Sequence, residues 1–107
     1  MENRFQNKIA VVTGGCRGIG KAIALKFASE GAYVYALDYV IPPVDEPFCE
    51  NTDIAANVKC LQADVTKLES IEENVNVILK EKERIDIWVN NAGITRDNLL
   101  IRMNETE

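Results

Sequence analysis

The chain contains no histidine. That absence excludes a Ser/His/Asp relay and a histidine-held metal within it, and it leaves zinc without its commonest ligand. Cysteine is scarce as well. Cys16, Cys49 and Cys60 form no CxxC pair, and an odd number of thiols makes no disulfide framework. Long apolar runs are missing: none approaches the ~18 residues of a membrane span. The opening Met1-Glu2-Asn3-Arg4-Phe5-Gln6-Asn7-Lys8 has no apolar signal-peptide core, so free thiols in a reducing cytoplasm are expected. Positive charge is in deficit, with 12 Lys and Arg against 17 Asp and Glu for a net charge of −5. Neither nucleic acid nor a membrane is expected as a partner, since nucleic acid and anionic bilayers call for a basic surface.

What is present reads as one globular domain over residues 1–107, with 47% hydrophobic and 27% charged residues. Residues 8–13, with the apolar Ile9-Ala10-Val11-Val12, read as a buried strand. A helix is expected over about 19–30, placing Ile19, Ile23 and Phe27 on one face with Ala22 beside them, and stopping at Gly31. Ala32-Tyr33-Val34-Tyr35-Ala36-Leu37 is a second apolar strand, ending on Asp38. Strands without alternation are buried on both faces, which favours a parallel sheet. Pro42, Pro43 and Pro47 bar a helix interior, so 39–57 is expected as loop with a helical turn near 52–56. A third strand runs over 58–63, ending on Asp64-Val65. Thr66 and Glu69 have capping-box spacing, opening a helix to about residue 84 with Leu68, Ile71, Val75, Ile78 and Leu79 on its apolar stripe. Residues 86–90 form a fourth strand leading into Asn91-Ala92-Gly93.

Alternating strands and helices give an α/β fold with right-handed crossovers: the N-terminal half of a Rossmann-like doubly wound parallel sheet, strand order 3-2-1-4. Ligands of such sheets lie beyond the carboxyl ends of the strands. Four candidate stretches fall there: Gly14-Gly15-Cys16-Arg17-Gly18-Ile19-Gly20, Asp38, Asp64-Val65 and Asn90-Asn91-Ala92-Gly93. The first is a glycine turn between strand and helix, suited to a phosphate because glycine lets backbone approach closely and the helix N-terminus offers unpaired N–H groups. It lacks the Lys-Ser/Thr pair of a P-loop. Cys16 reads as a small, half-buried residue of that turn. Asp38 stands where an acidic group would accept hydrogen bonds from an adenosine ribose. It would oppose a 2′-phosphate, since unit charges about 4 Å apart interact by roughly 4 kcal/mol at an effective dielectric of about 20. Arg17 pulls the other way, and NAD is favoured over NADP. Asp64 either bonds an adenine amino group, with Val65 against the ring, or simply ends its strand. Asn90 and Asn91 either bond backbone across the crevice and line a cofactor, or form an ordinary turn.

With these residues laid out, the chain resembles the short-chain dehydrogenase/reductase family. Thr13-Gly14-Gly15-Cys16-Arg17-Gly18-Ile19-Gly20 is similar to its cofactor turn, Asn90-Asn91-Ala92-Gly93 to its NNAG motif, and Asp64-Val65 to its adenine-contacting pair. Residues 93–103 are similar to the segment after NNAG in bacterial-type 3-oxoacyl-(acyl-carrier-protein) reductases. The resemblance implies hydride exchange between a nicotinamide and a carbonyl or alcohol, plausibly a thioester on an acyl carrier protein, in a parent that forms a homo-oligomer. It implies that Gly14, Gly18 and Gly20 hold the diphosphate, Arg17 and Asp38 the ribose end, Asp64 and Val65 the adenine, and Asn91 the nicotinamide side.

Two departures stand out. The family usually has a helix between its second and third strands, where this chain has prolines. Family catalysis also uses a serine, a Tyr-x-x-x-Lys pair and an asparagine downstream of NNAG. Tyr33, Tyr35 and Tyr39 are followed four residues on by Leu37, Tyr39 and Pro43, so none carries over and no catalytic residue is assigned. Asn104-Glu105-Thr106-Glu107 reads as a capping box with no helix behind it. The expectation is a cut chain, inactive alone and either marginally stable or prone to aggregate. A non-catalytic nucleotide-binding remnant, one piece of a split protein and an incomplete gene are the alternatives.

Overall fold

A computed structural model describes residues 4–43 and 45–91. Four parallel strands, β1 (Ile9–Thr13), β2 (Tyr33–Asp38), β3 (Val58–Gln62) and β4 (Ile87–Asn90), form one sheet in the order β3-β2-β1-β4. Between them run α1 (Gly18–Ser29), the single turn α2 (Thr52–Ala55) and α3 (Leu68–Lys82). Val11 lies between Tyr35 of β2 and Trp88 of β4, and Ala36 of β2 pairs with Cys60 of β3. This is the expected strand order.

β1 and the centre of β2 are buried on both faces, and successive side chains feed two separate cores. Ala10, Val12, Val34 and Ala36 face α1 together with Ala24, Ala28 and Phe48. Ile9, Val11, Tyr35 and Leu37 point the other way, to Ile78 of α3 and Ala63. Full burial of a Val or Leu contributes roughly 1.5–3 kcal/mol, so this central pair of strands anchors the fold.

The helices follow their expected stripes in part: Ile23 and Phe27 pack against the α1-face core and Ile78 is buried in the other. On α1 the buried residues are Gly20, Ala24 and Ala28, while Ile19 is 71% exposed and Ala22 faces solvent. Small residues at i, i+4, i+8 let the helix lie close on Ala10 and Ala36, and Ile19 and Ala22 fall off that face. α3 begins at Leu68 with Lys67 as N-cap and no side-chain cap bond, so the expected Thr66–Glu69 box is not formed. The reason is local competition: the Thr66 hydroxyl and N–H both donate to Asp64 Oδ1. On α3 the buried residues are Asn74 and Ile78, whereas Leu68 and Leu79 are exposed. Asn74 Nδ2 donates to the Gln62 and Ser70 carbonyls, stitching the helix to the end of β3. As expected, residues 39–51 contain no helix among those described, and α2 is capped by Asn51 Oδ1 accepting from Ile54 N–H at 3.1 Å. Ala92, Gly93, the segment to 103 and the 104–107 box lie outside the described residues.

Candidate functional site

At the top of β1 the chain turns sharply. Gly14 has φ 65° and donates its N–H to the Leu37 carbonyl at 2.7 Å, a bond that pins the turn to β2. A Cβ on Gly15 would stand 2.8 Å from the Val12 carbonyl oxygen. Arg17 is extended (φ −147°) and serves as N-cap of α1 without a side-chain cap bond. The first amides of the helix therefore have no protein cap from that residue and remain available to an anion. Gly18 follows with φ 55° and open space around it. Gly20 is tight instead: a Cβ there would fall on the Gly14 carbonyl oxygen and crowd Asn91 Nδ2.

Asn91 closes the turn from the β4 side. Its N–H donates to Thr13 Oγ1 at 3.0 Å, and its Nδ2 donates to the Gly14 carbonyl at 3.2 Å. The amide thus bonds backbone across the crevice between β1 and β4. Asn90 behaves differently, since its Oδ1 accepts from the Trp88 indole at 2.8 Å on the α3 face.

Asp38 ends β2 with its side chain 7% exposed. Oδ2 accepts from the Cys16 N–H at 3.2 Å, and Oδ1 accepts from the Tyr39 N–H at 2.8 Å. Arg17 Nη2 lies 3.6 Å from Oδ1, on a side chain 73% exposed. The carboxylate thereby couples the glycine turn to the second strand. Asp64 sits across from it after β3. The hydroxyl and N–H of Thr66 bonded to its Oδ1 hold the Asp64 carboxyl below the usual carboxylate range.

A cleft of about 340 Å³ opens between these ends, lined by Gly14, Asp38, Tyr39, Ala63, Asp64, Val65 and Thr66. Four of the sequence-predicted positions, Gly14, Asp38, Asp64 and Val65, share it. Arg17, Gly18 and Ile19 are exposed at the start of α1, and Arg17 lines a neighbouring cleft with Cys16 and Lys21. Tyr39 and Thr13 are additions. Tyr39 had the signal of adjacency to Asp38, and Thr13 that of opening the glycine turn. A larger hollow of about 680 Å³ lies at the opposite, amino-terminal end of the strands, among Lys8, Ile9, Gly31, Tyr33, Lys82 and Arg84. It holds none of the candidate residues and faces away from the start of α1, where the helix dipole attracts anions.

Cys16 is buried beneath the turn, and its Sγ lies 3.4 Å from Cys60 Sγ. The thiol of Cys16 is raised above its ordinary range by the bond it donates to Cys60 and by burial. Cys60, accepting that bond with Lys21 nearby, is lowered. Tyr35 donates its hydroxyl to Glu81 at 2.6 Å and is fully buried, a packing role. Among the described residues no group of three or more potential ligands could hold a metal, and no helix is long and apolar enough to cross a membrane.

The chain is 41% identical over 104 residues to 3-oxoacyl-[acyl-carrier-protein] reductase FabG of Thermotoga maritima, covering 97% of this chain and 42% of that protein. It is 45% identical over 103 residues to the reductase of the same name from Escherichia coli, covering 96% and 41%. The chain thus spans about two fifths of the length of these curated relatives. The crystal structure of carveol dehydrogenase from Mycobacterium avium in complex with NAD superposes with a TM-score of 0.66 at 29% identity, over 85% of this chain and 37% of that one. The family model for short chain dehydrogenase matches residues 8–107, and the chain belongs to that oxidoreductase family.

Proposed function

We propose that residues 14–20, Asp38, Asp64-Val65 and 90–93 bind the dinucleotide of a nicotinamide-dependent oxidoreductase that reduces a carbonyl to an alcohol. The observation that carries this reading is the cleft at the carboxyl ends of β1, β2 and β3, where Gly14, Asp38, Asp64 and Val65 meet. In this reading Gly14, Gly15, Cys16, Gly18, Ile19 and Gly20 form the diphosphate turn, with the amides at the start of α1 as donors. Asp38, already oriented by two backbone N–H groups, accepts from the adenosine ribose hydroxyls, while Arg17 flanks it. Asp64 and Val65 take the adenine. On the β4 side Asn91 acts through its hold on the Gly14 carbonyl, and Asn90, Ala92 and Gly93 are assigned to the same binding stretch.

The cofactor supplies the hydride; the chain's residues bind and orient it. NAD is the preferred form, because a 2′-phosphate would meet a carboxylate that is 7% exposed and has little water to screen it. The substrate is a 3-oxoacyl group on an acyl carrier protein, by likeness to the two reductases, and the whole protein is a cytoplasmic homo-oligomer. Residues 1–107 by themselves turn over no substrate, since none of their tyrosines has the lysine partner that would lower a phenol toward working pH.

Calorimetric titration with NAD and NADP tests the site. NAD should bind more tightly, and Asp38→Asn should weaken NAD while narrowing the gap to NADP by about tenfold, the scale of one 1.4 kcal/mol interaction. Preference for NADP in the unmodified protein would overturn the cofactor choice. Absence of binding by either would overturn the site.

A further inference from the structure

We propose that Cys16 and Cys60 form a thiol-exchange site that takes up low-molecular-weight disulfides, and that its closure withdraws the glycine turn from the dinucleotide. The two sulfurs come from segments 44 residues apart yet meet at 3.4 Å. Both sit on the α1 face of the sheet: Cys60 pairs in register with Ala36, and Cys16 Sγ lies over the Ala36 carbonyl at 3.9 Å. Neither is engaged in a disulfide. The sheet register therefore fixes Cys60 beside Ala36, and the turn, pinned by the Cys16 N–H to Asp38, brings Cys16 to it.

Access is asymmetric. Cys60 is half-buried and lines a cleft with Pro42, Pro43, Pro47, Phe48 and Val58, whereas Cys16 borders the adjoining cleft beside Lys21 but is only 8% exposed. Cys60, the thiol lowered by the bond from Cys16, attacks first. Its thiolate forms a bond to one sulfur of a disulfide such as oxidised glutathione, and the other sulfur departs as a thiolate. Cys16 then loses its proton and attacks Cys60 Sγ, forming the Cys16–Cys60 bond and expelling the second thiolate. The two protein thiols give up two electrons and two protons; the small disulfide is reduced to two thiols.

Closing the bond brings the sulfurs from 3.4 Å to about 2.05 Å. Because β3 is held in the sheet, most of the movement falls on the turn. Cys16 also carries the N–H that orients Asp38, and Arg17 and Gly18 follow it directly. A displacement near 1 Å takes the turn's amides out of hydrogen-bond range of the diphosphate, and loss of one such interaction is about tenfold in affinity. This second half rests on the cofactor reading above; the first half does not.

The protein is treated with oxidised glutathione, digested without reduction and mapped by mass spectrometry, and NAD affinity is measured before and after. The expected result is a Cys16–Cys60 linkage, Cys49 left outside it, and an affinity about tenfold weaker that dithiothreitol restores. Cys60→Ser should abolish the response and Cys49→Ser retain it. Glutathione retained at Cys60 with Cys16 still free would overturn the exchange site. A linked protein with unchanged NAD affinity would overturn the coupling. A reduced protein that binds no NAD would overturn the cofactor reading and the coupling together, while the mapping of wild-type protein still decides the linkage.

Discussion

Gly18 and Gly20 stand two residues apart and are required for different physical reasons. Gly18 has open space but a φ of 55°, so Gly18→Ala should cost about 1 kcal/mol of left-handed strain. Gly20 packs on the Gly14 carbonyl, so Gly20→Ala should cost about 3 kcal/mol through overpacking. Urea midpoints of the two variants give the comparison, and equal costs would refute the packing account. The sequence made the glycine positions visible as a turn, and Asp38 visible as the end of β2. It could not distinguish Asn90 from Asn91, because which amide reaches Gly14 depends on how β4 pairs with β1. One residue of alternation sends Asn90 to the Trp88 indole and Asn91 to the turn.

At the scale of elements, β1, β2 and β4 were legible as apolar runs with sharp ends, and β3, Val58–Gln62, by its place between the proline loop and Asp64-Val65. Both helix faces were misread in part. Periodicity favoured Ile19 on α1, but a helix lying close on Ala10 and Ala36 wants small residues, and the buried positions are Gly20, Ala24 and Ala28; on α3 Leu68 falls in the exposed first turn. The start of α3 was misplaced because Thr66 had a nearer acceptor in Asp64. The end of α3 offers a test of local strain. Glu83 closes it in the left-handed conformation, φ 71°, which glycine adopts freely. Glu83→Gly should therefore stabilise the fold by about 1 kcal/mol, read as a higher melting temperature. A lower one would mean that Glu83's side chain matters more than its backbone.

Across the whole molecule, carboxylates fasten the periphery to the sheet. Glu30, 5% exposed, accepts two bonds from Arg4 and an ion pair from Lys26. Glu81 joins Lys59 and Tyr35, and Asp86 joins the Ile9 N–H and Arg84. Arg4 holds Glu30 below the usual carboxylate range, as Lys59 does Glu81 and the Ile9 N–H does Asp86. The unfolded chain consequently binds protons at a higher pH than the folded one. Stability should be full above about pH 4.5, the unfolded range, and fall as pH drops through the lower folded values. Urea midpoints between pH 7 and pH 3 check the sign, and Glu30→Gln should flatten the slope. A protein more stable at pH 3 would contradict it.

Asp86 has a reach beyond its own bonds. Its carboxylate fixes the Ile9 N–H at 2.8 Å, and Arg84 beside it donates to the Asn7 carbonyl. From that clamp β4 runs as an extended rod of fixed pitch, about 3.3 Å per residue, until Asn91 meets Gly14. The strand is a ruler with its zero set at Asp86. Shift that zero by one residue and Asn91 arrives on the wrong face of the sheet. A residue at the far edge, touching no ligand, thus sets the calibration of the glycine turn.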